Sequence, residues 1–430
     1  MRFVPAGITT SFADTRKELF PIASDMARKK KTPQPIPMPR RNPAPTPAEG
    51  PERMEKRGHL DQPLLLLTMM LLGMGLICLF SASYATAYDD FNGNSTHFIF
   101  RQGIFAVGGV VVMLIASKFD YHKLHYFAIP SLIFAVVVMA TVKIPGVKSL
   151  WVTINGATRW IELPGLGTFQ PSELAKIAVI LCFSSLATIY GSKKMHTLRY
   201  GIVPFMAILA IFALEMMWEK HLSGTMIIAA IGMIIIYFGG ANLFWFGLGG
   251  CGVGAAAIWY LTSEKGEYAL ERIKIWLDPF SDPRGAGWQG VQAQLAIGSG
   301  GFWGLGLGQS RQKHLYLPEP ANDFIFAVWC EEMGFVGAVI LVVLFALLIW
   351  RGYYIALNAS DKFGTLLAAG ITTQIAVQTI LNLCVVTGLL PITGASLPFF
   401  SYGGTALLIQ LAEMGILLAI SRHMPAPKEG

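Results

Sequence analysis

The amino-acid sequence predicts an all-α, polytopic membrane protein, a transmembrane helical bundle of about ten helices. Two observations predict this class. Hydrophobic residues make up 53% of the 430 residues and charged residues only 14%, with a mean hydropathy of +0.53. Soluble domains carry about a quarter charged residues, so lipid is the expected solvent. The chain also contains a series of apolar runs near the roughly 20 residues that a helix needs to cross the hydrocarbon core.

Ten apolar runs are candidate transmembrane helices. They are expected at 63–82, 102–117, 125–144, 173–190, 201–218, 222–239, 243–262, 324–350, 364–388 and 404–421. The second run is short, so it is expected to tilt or to extend into the apolar residues around Phe98–Phe100. If the second run does not cross the membrane, the expected number of transmembrane helices is nine.

The residues before the first run form a separate tail, 1–60. This tail contains twelve Lys and Arg residues, and Thr32–Arg57 is rich in proline, so a disordered or polyproline tether is expected. A basic segment before a first span typically sets topology and contacts anionic lipid, and no nucleic-acid partner is expected. The tail lacks the apolar stretch of a cleavable signal peptide. Residues 61–422 form the expected transmembrane domain, and 423–430 form a short second tail.

Basic residues predict the orientation. With the first tail in the cytoplasm, the inside loops 117–124, 190–200 and 351–362 all carry Lys or Arg, whereas the first outer loop carries Asp89 and Asp90. An even number of spans returns the second tail to the same side. The positive-inside rule therefore predicts that both termini are cytoplasmic.

One soluble segment is large. Residues 263–323 form an outer loop between the seventh and eighth runs, and long loops in compact proteins are usually functional. Short amphipathic helices are expected around Tyr268–Trp276 and Gln289–Ile297. A second segment, Val147–Gln170, contains the Trp and Arg residues that anchor at the membrane interface.

The five cysteines all fall inside apolar runs and form no CxxC pair. They are Cys78, Cys182, Cys251, Cys330 and Cys384. Without paired spacing, neither a disulfide framework nor a metal site is predicted. We expect them to be small apolar packing residues.

Polar side chains recur inside the apolar runs, where they are costly. Glu173 and Lys176 lie three residues apart on one helix face and can neutralise each other, as a structural pair or as a functional one. Gln374, Gln378 and Asn382 form a stripe at four-residue spacing, which either lines a cavity or bonds neighbouring helices. Other acidic residues in these runs or at their ends are Glu215, Glu219, Glu331, Glu332 and Glu413.

Asp323 is the last residue of the large loop and directly precedes the eighth run, at its outer end. A carboxylate in this position is suited to general-base or cation-binding chemistry. It is equally suited to cap the helix N-terminus, where Asp is favoured. The chemistry of the residue alone leaves both interpretations open.

Five segments together make the sequence similar to a known family. They are Gly156–Ile161, Phe169–Lys176, Gly300–Gly308, Asn322–Ala327 and Leu397–Gly404. In this order and spacing they resemble the SEDS (shape, elongation, division and sporulation) membrane proteins of bacterial wall synthesis, over roughly residues 60–422.

The resemblance implies a glycosyltransferase that polymerises lipid II into glycan strands at the outer face of the bacterial cytoplasmic membrane, for division or cell shape. It implies a class B penicillin-binding protein as partner, together with other divisome or elongasome proteins. Asp323 matches the essential loop aspartate of the family, and Glu173 and Lys176 match a sensitive pair. The family usually has aspartate where this chain has His221, so the role of that position is open.

A single inverting displacement suffices for this chemistry, with Asp323 as the base. Negative charge develops on the leaving pyrophosphate, so cationic side chains or a divalent cation, Mg²⁺ or Mn²⁺, are expected to stabilise it. Arg159, Arg311 and Lys313 are the nearest cationic candidates. Ser401 is a further candidate for substrate contact, although no His and Asp are spaced to activate it and packing is the alternative. No organic cofactor is expected.

Two other functions fit the same residues. A flippase that moves lipid II between leaflets would use the polar residues inside the spans as its path. A non-catalytic scaffold would only hold the transpeptidase in place. An essential carboxylate in the outer loop favours the enzyme, whereas essential mid-membrane charges favour transport.

Overall fold

The computed structural model describes residues 60–143, 151–154, 157–163, 167–219, 221–242, 244–250 and 267–424. The basic tail expected at 1–60 lies outside these residues except for Leu60, and so do Cys251 and most of the second tail. The described chain is built almost entirely of helices.

Seven helices are described in the first half of the chain. They are α1 (Gln62–Asp90), α2 (His97–Ala116), α3 (Leu124–Ala140), α4 (Pro171–Met195), α5 (Val203–Trp218), α6 (Leu222–Phe238) and α7, of which 244–250 are described. A 3₁₀ turn, Tyr121–Lys123, precedes α3, and a π turn, Leu198–Ile202, precedes α5. A further 3₁₀ turn, Thr141–Lys143, follows α3.

Five helices follow among the described residues of the second half. They are α8 (Glu267–Leu277), α9 (Trp288–Gly300), α10 (Ile325–Leu357), α11 (Lys362–Val386) and α12 (Gly404–Ser421), with a 3₁₀ turn at Pro279–Ser281. Helices α8 and α9 lie within two or three residues of the two short helices expected in the large loop, which confirms that prediction.

Among the described residues, eight helices are long and apolar enough to cross a membrane, and α6 is a shorter apolar helix. Nine of the ten expected runs are therefore found as apolar helices. The tenth, 243–262, lies mostly outside the described residues, so the expected count of about ten remains a prediction.

The segment between α3 and α4 differs from the all-α expectation, because it forms a small antiparallel sheet in the order β1-β2-β3. The strands are β1 (Trp151–Ile154), β2 (Ala157–Leu163) and β3 (Gly167–Phe169). In the register, Trp151 pairs with Ile161 and Ile161 with Phe169. The Trp and Arg residues taken as interfacial anchors thus belong to a sheet whose strands contact α4 and α12.

The bundle has a buried centre and a lipid-facing perimeter. Helix α11 contacts α4, α6, α10 and α12, and 78% of its apolar window is buried, against 17% for the α3 span. Close helix contacts depend on small residues. A Cβ added to Gly415 of α12 would lie 2.5 Å from the carbonyl oxygen of Met113 on α2.

Helix α10 is interrupted at Gly334, whose φ of 63° and ψ of −166° are not helical. The glycine-rich loop after α9 supplies the hydrogen bonds that the interrupted helix lacks. The backbone amides of Leu305 and Gly306 donate to the carbonyl oxygens of Glu331 and Glu332 at 3.0 Å each. Only glycine fits this approach: a Cβ on Gly304 would lie 2.1 Å from the Glu332 carbonyl oxygen. The glycines of this loop therefore allow its close approach to α10.

Candidate active site

Asp323 lies in the turn that leads into α10. Glu319 has a positive φ of 54°, and Asn322 Nδ2 donates to Glu319 Oε2 at 2.6 Å. The N-cap residue of the helix is Phe324, and no side chain caps the helix. The alternative that Asp323 serves as an N-cap is therefore wrong.

The Asp323 carboxylate is partly buried against the segment between α11 and α12. A Cβ on Gly394 would lie 3.1 Å from Asp323 Oδ2, so the carboxylate rests against bare backbone. Burial raises the pKa of Asp323 from 3.8 to about 6; the nearby Glu319 adds to the rise and Arg159 opposes it. Such a group is mostly ionised at neutral pH and is a stronger base than an ordinary carboxylate.

Arg159 on β2 supplies positive charge near Asp323. Its Nε donates to the carbonyl oxygen of Glu219 at 3.2 Å, which holds the guanidinium at the turn between α5 and α6. Burial lowers the pKa of Arg159, and the Asp323 and Glu219 carboxyl groups raise it. A guanidinium nevertheless stays charged in proteins.

The turn between α5 and α6 adds two ionisable groups. Burial and the neighbouring Glu215 raise the pKa of Glu219 to about 8, with Arg159 opposing. Burial, Arg159 and Lys176 lower the pKa of His221 to about 3. Both groups are mainly uncharged at pH 7. His221 therefore presents a neutral imidazole where the family usually has a carboxylate.

The ion pair expected on α4 is present and buried. Lys176 Nζ lies 2.8 Å from Glu173 Oε2 and donates to Gln378 Oε1 at 3.1 Å. Gln378 Nε2 in turn donates to Ser396 Oγ at 2.9 Å. The pair is thus connected through α11 to the segment that packs against Asp323.

The amide stripe on α11 bonds neighbouring elements, which confirms that alternative over a cavity lining. Gln374 Nε2 donates to Glu413 Oε2 of α12 at 2.8 Å. Asn382 Nδ2 donates to the carbonyl oxygens of Asp323 and Ala395 at 2.8 and 2.6 Å. In the described structure Gln374 Oε1 and Glu413 Oε1 have no hydrogen-bond partner.

Two buried glutamates of α10 hold the large loop. The Glu331 carboxylate accepts from Ser310 Oγ at 2.5 Å and from the backbone amide of Arg311 at 2.9 Å. Lys313 Nζ donates to Glu332 Oε1 at 2.9 Å and to Ser81 Oγ of α1 at 2.8 Å.

The structure corrects two candidate pyrophosphate contacts. The Lys313 side chain is only 3% exposed, and its ammonium pairs with Glu332, so it ties the loop to the bundle rather than facing a ligand. Ser401 is buried; its Oγ donates to the Asn322 carbonyl oxygen at 2.7 Å and accepts from the Leu397 amide at 2.7 Å. The packing interpretation of Ser401 is therefore the correct one.

The remaining candidates divide into two groups. Arg159 acts through charge on both Asp323 and His221, and Lys176, the partner of Glu173, acts through charge on His221. Arg311 has an exposed side chain on the large loop, which leaves its predicted ligand contact a prediction. Glu219 was noted only as an acidic residue in or at the end of an apolar run; the contact of its carbonyl oxygen with Arg159 depends on sheet placement that no local pattern reveals.

A family model described as "Cell cycle protein", covering FtsW, RodA and SpoVE, matches residues 62–425. This chain belongs to the FtsW/RodA/SpoVE family. A Trichlorobacter lovleyi protein named as a probable peptidoglycan glycosyltransferase FtsW is 38% identical over 371 residues, which covers 86% of this chain and 95% of the relative. Stage V sporulation protein E of Bacillus subtilis is 38% identical over 371 residues, which covers 86% and 98%.

Solved structures of the family have the same architecture. A chain of a peptidoglycan synthase complex that coordinates polymerization and crosslinking superimposes with a TM-score of 0.69 at 26% identity, covering 84% of this chain and 98% of that chain. The rod shape determining protein RodA of Thermus thermophilus superimposes with a TM-score of 0.61 at 23% identity, covering 86% and 98%; this likeness concerns the fold alone. The predicted family, the multi-pass membrane fold and the class of peptidoglycan glycosyltransferase are confirmed.

Proposed function

We propose that this chain polymerises lipid II into glycan strands at the outer face of the bacterial cytoplasmic membrane, with Asp323 as the catalytic base. The observation that carries the proposal is the arrangement of one partly buried carboxylate with a pKa of about 6 beside an arginine, at the membrane end of the large loop. A base of this kind and a cation within its reach are the two groups that an inverting glycosyl transfer to a hydroxyl needs.

The reaction is a single displacement at the anomeric carbon of the donor. The 4-hydroxyl oxygen of the acceptor sugar forms the new bond to that carbon, and the bond from the carbon to the pyrophosphate oxygen breaks. Asp323 takes the hydroxyl proton, and undecaprenyl pyrophosphate leaves with the electron pair. Inversion converts the α-linked donor into a β-linked product, so one carboxylate is enough.

Arg159 has two roles in this scheme. Its charge lowers the pKa of Asp323 and so keeps the base ionised near neutral pH. Its planar guanidinium also matches the geometry of phosphate oxygens, and it would stabilise the negative charge that develops on the leaving pyrophosphate.

A divalent cation remains a prediction. Within the described ranges no group of three or more His, Cys, Asp or Glu side chains is arranged to hold a metal, and the guanidinium of Arg159 lies within electrostatic reach of both Asp323 and Glu219. These residues do not fit a metal site built from protein ligands alone. The scheme therefore relies on the side chains of this chain.

The two alternative functions gain no specific support. Five polar residues would form a transport path. Gln374, Gln378 and Asn382 donate hydrogen bonds to neighbouring side chains and carbonyls, and Glu331 and Glu413 accept them. A scaffold would not need a carboxylate partly buried beside an arginine.

The proposal extends to partners and topology. A class B penicillin-binding protein would cross-link the new strand, in line with the peptidoglycan synthase complex that this fold matches, and other divisome or elongasome proteins would join it. Both termini would be cytoplasmic, which places Asp323 on the outer side.

The test is polymerisation of purified lipid II by the full chain with its partner transpeptidase, comparing wild type with Asp323→Asn. The substitution keeps the size of the side chain and removes the base. Asp278→Asn is the matched control, because Asp278 is an exposed aspartate of the same loop. We expect long glycan chains from wild type and from the control, and none from Asp323→Asn.

Equal polymerisation by wild type and Asp323→Asn would show that the base lies elsewhere. If wild type makes no glycan where a related polymerase does, the flippase and scaffold alternatives take precedence. Partner binding and thermal unfolding are measured for each variant. A variant that is inactive but still folded and partner-bound has lost the chemical step and not its fold.

A further inference from the structure

Three consecutive carbonyl groups before α10 are held from one side. The Ala321 carbonyl oxygen accepts from the Tyr402 amide at 2.9 Å. The Asn322 carbonyl oxygen accepts from Ser401 Oγ at 2.7 Å, and the Asp323 carbonyl oxygen accepts from Asn382 Nδ2 at 2.8 Å. All three donors come from α11 or the segment after it, although they are remote in sequence.

Asn382 joins two parts of the site with one side chain. It is fully buried, and its Nδ2 donates to both the Asp323 and the Ala395 carbonyl oxygens. Two carbonyl acceptors identify the facing atom as the nitrogen of the amide. Ala395 follows Gly394, whose backbone lies against the Asp323 carboxylate. The same amide therefore fixes the peptide of Asp323 and the surface on which its carboxylate rests.

The segment that provides these donors is itself fixed to other helices. Gly403 donates to Gln102 Oε1 of α2 at 3.2 Å, and Phe399 donates to Gln410 Oε1 of α12 at 3.1 Å. The Gly394 carbonyl oxygen accepts from Ser223 Oγ of α6 at 3.1 Å. The donors are thus held by the bundle and can keep the Asp323 segment in place.

We infer that Asn382 and Ser401 are positioning residues for Asp323: they hold its backbone so that the carboxylate remains partly buried and directed at the acceptor hydroxyl. This inference rests on the proposed role of Asp323 as the base. A misplacement of about 1 Å can cost roughly 100-fold in rate. A released carboxylate would also gain water, and its pKa would fall toward the ordinary value.

The experiment uses the full chain with its partner transpeptidase and the variants Asn382→Leu and Ser401→Ala. Leucine is close to asparagine in size but has no N–H donors, and Ser401→Ala is the milder second variant should the first fold poorly. Asn358→Ala is the matched control, because the Asn358 amide also donates to a backbone carbonyl but is exposed at the other end of α10.

We expect kcat to fall about 10- to 100-fold in both positioning variants, with KM for lipid II unchanged within about twofold. The acid limb of the plot of kcat against pH should move to lower pH, because a better solvated Asp323 has a lower pKa. Amide hydrogen exchange over residues 321–328, measured by mass spectrometry, should become faster in both variants. The control should match wild type in all three measurements.

A rise in KM at constant kcat would overturn the inference, since it would mean that these side chains contact the substrate. Unchanged exchange over 321–328, or an unmoved acid limb despite a lower kcat, would also overturn it. Hydrogen exchange does not depend on turnover. An inactive wild type with the expected exchange pattern would therefore refute the proposed function while leaving the positioning contacts established.

Discussion

Replacing Asp323 by Asn is expected to make the folded protein more stable while it abolishes polymerisation. Burial raises the pKa of Asp323 from 3.8 to about 6, with Glu319 adding and Arg159 opposing. The difference, 6 − 3.8, is about 2 units, and each unit corresponds to about 1.36 kcal/mol. An ionised Asp323 therefore costs the folded state up to about 3 kcal/mol at neutral pH. Partial exposure of the side chain reduces this to about 1–2 kcal/mol.

The sign of the effect follows from the direction of the shift. Because the pKa is higher in the folded state, Asp323 stabilises the fold fully below the unfolded value of 3.8, and this contribution is lost as the pH rises through 6. Asparagine does not titrate. The stability gain of Asp323→Asn should therefore be largest above about pH 7 and shrink toward about pH 4.

Thermal unfolding followed by tryptophan fluorescence, over a series of pH values in one detergent, measures this gain. We expect a rise in Tm of up to a few degrees at pH 8, since about 1 kcal/mol shifts Tm by roughly 2–4 °C in domains of about 150–250 residues and by less in a larger chain. Asp278→Asn should show no such pH-dependent rise. A lower Tm for Asp323→Asn at pH 8 would refute the reasoning, because it would mean that the carboxylate holds the fold together.

Three further predictions concern the interior. Glu413→Gln should keep both Tm and polymerisation, because the new NH₂ group replaces the unpartnered Glu413 Oε1 and can donate to the unpartnered Gln374 Oε1; loss of activity would mean that the charge of Glu413 is essential. Lys176→Met should lower stability by about 3–5 kcal/mol in denaturant unfolding, since it leaves the Glu173 carboxylate buried without its cation. Gly304→Ala should lower Tm well below that of Gly308→Ala, because both positions have positive φ but only the first Cβ would clash.

Each of the last two predictions has an internal control. In the double variant Glu173→Gln/Lys176→Met the unpaired charge is gone, so most of the lost stability should return; equal losses in single and double variants would mean that the pair contributes through packing. Equal Tm values for Gly304→Ala and Gly308→Ala would show that the loop moves away from α10 without cost.

The transmembrane helices were predictable from sequence for a local reason. A spanning helix satisfies its backbone hydrogen bonds internally and needs only a sufficiently long apolar run, so nine of the ten runs appear as apolar helices in the described chain. The two short helices of the large loop were also predictable from local pattern. The sheet β1–β3 was not, because antiparallel pairing joins residues by register and its Trp and Arg residues resemble interfacial anchors.

The i,i+3 spacing of Glu173 and Lys176 was enough to predict their ion pair, since one turn of helix brings them together. Lys313 shows the opposite case. Its positive charge and its nearness to Asp323 in sequence made it a candidate for pyrophosphate contact, but its actual partners, Glu332 and Ser81, come from α10 and α1. A charged side chain pairs with the groups that tertiary packing brings near it, and these groups come from distant parts of the chain.

The sequence by itself determined the membrane fold and the family motifs, and through them the identity of Asp323 as the base candidate. Only the tertiary structure decided its environment. The strand that carries Arg159, the bare backbone of Gly394 and the amide of Asn382 reach Asp323 from separate parts of the chain. The pKa and orientation of a carboxyl group depend on such neighbours, and only the tertiary packing of helices, sheet and loops brings them together.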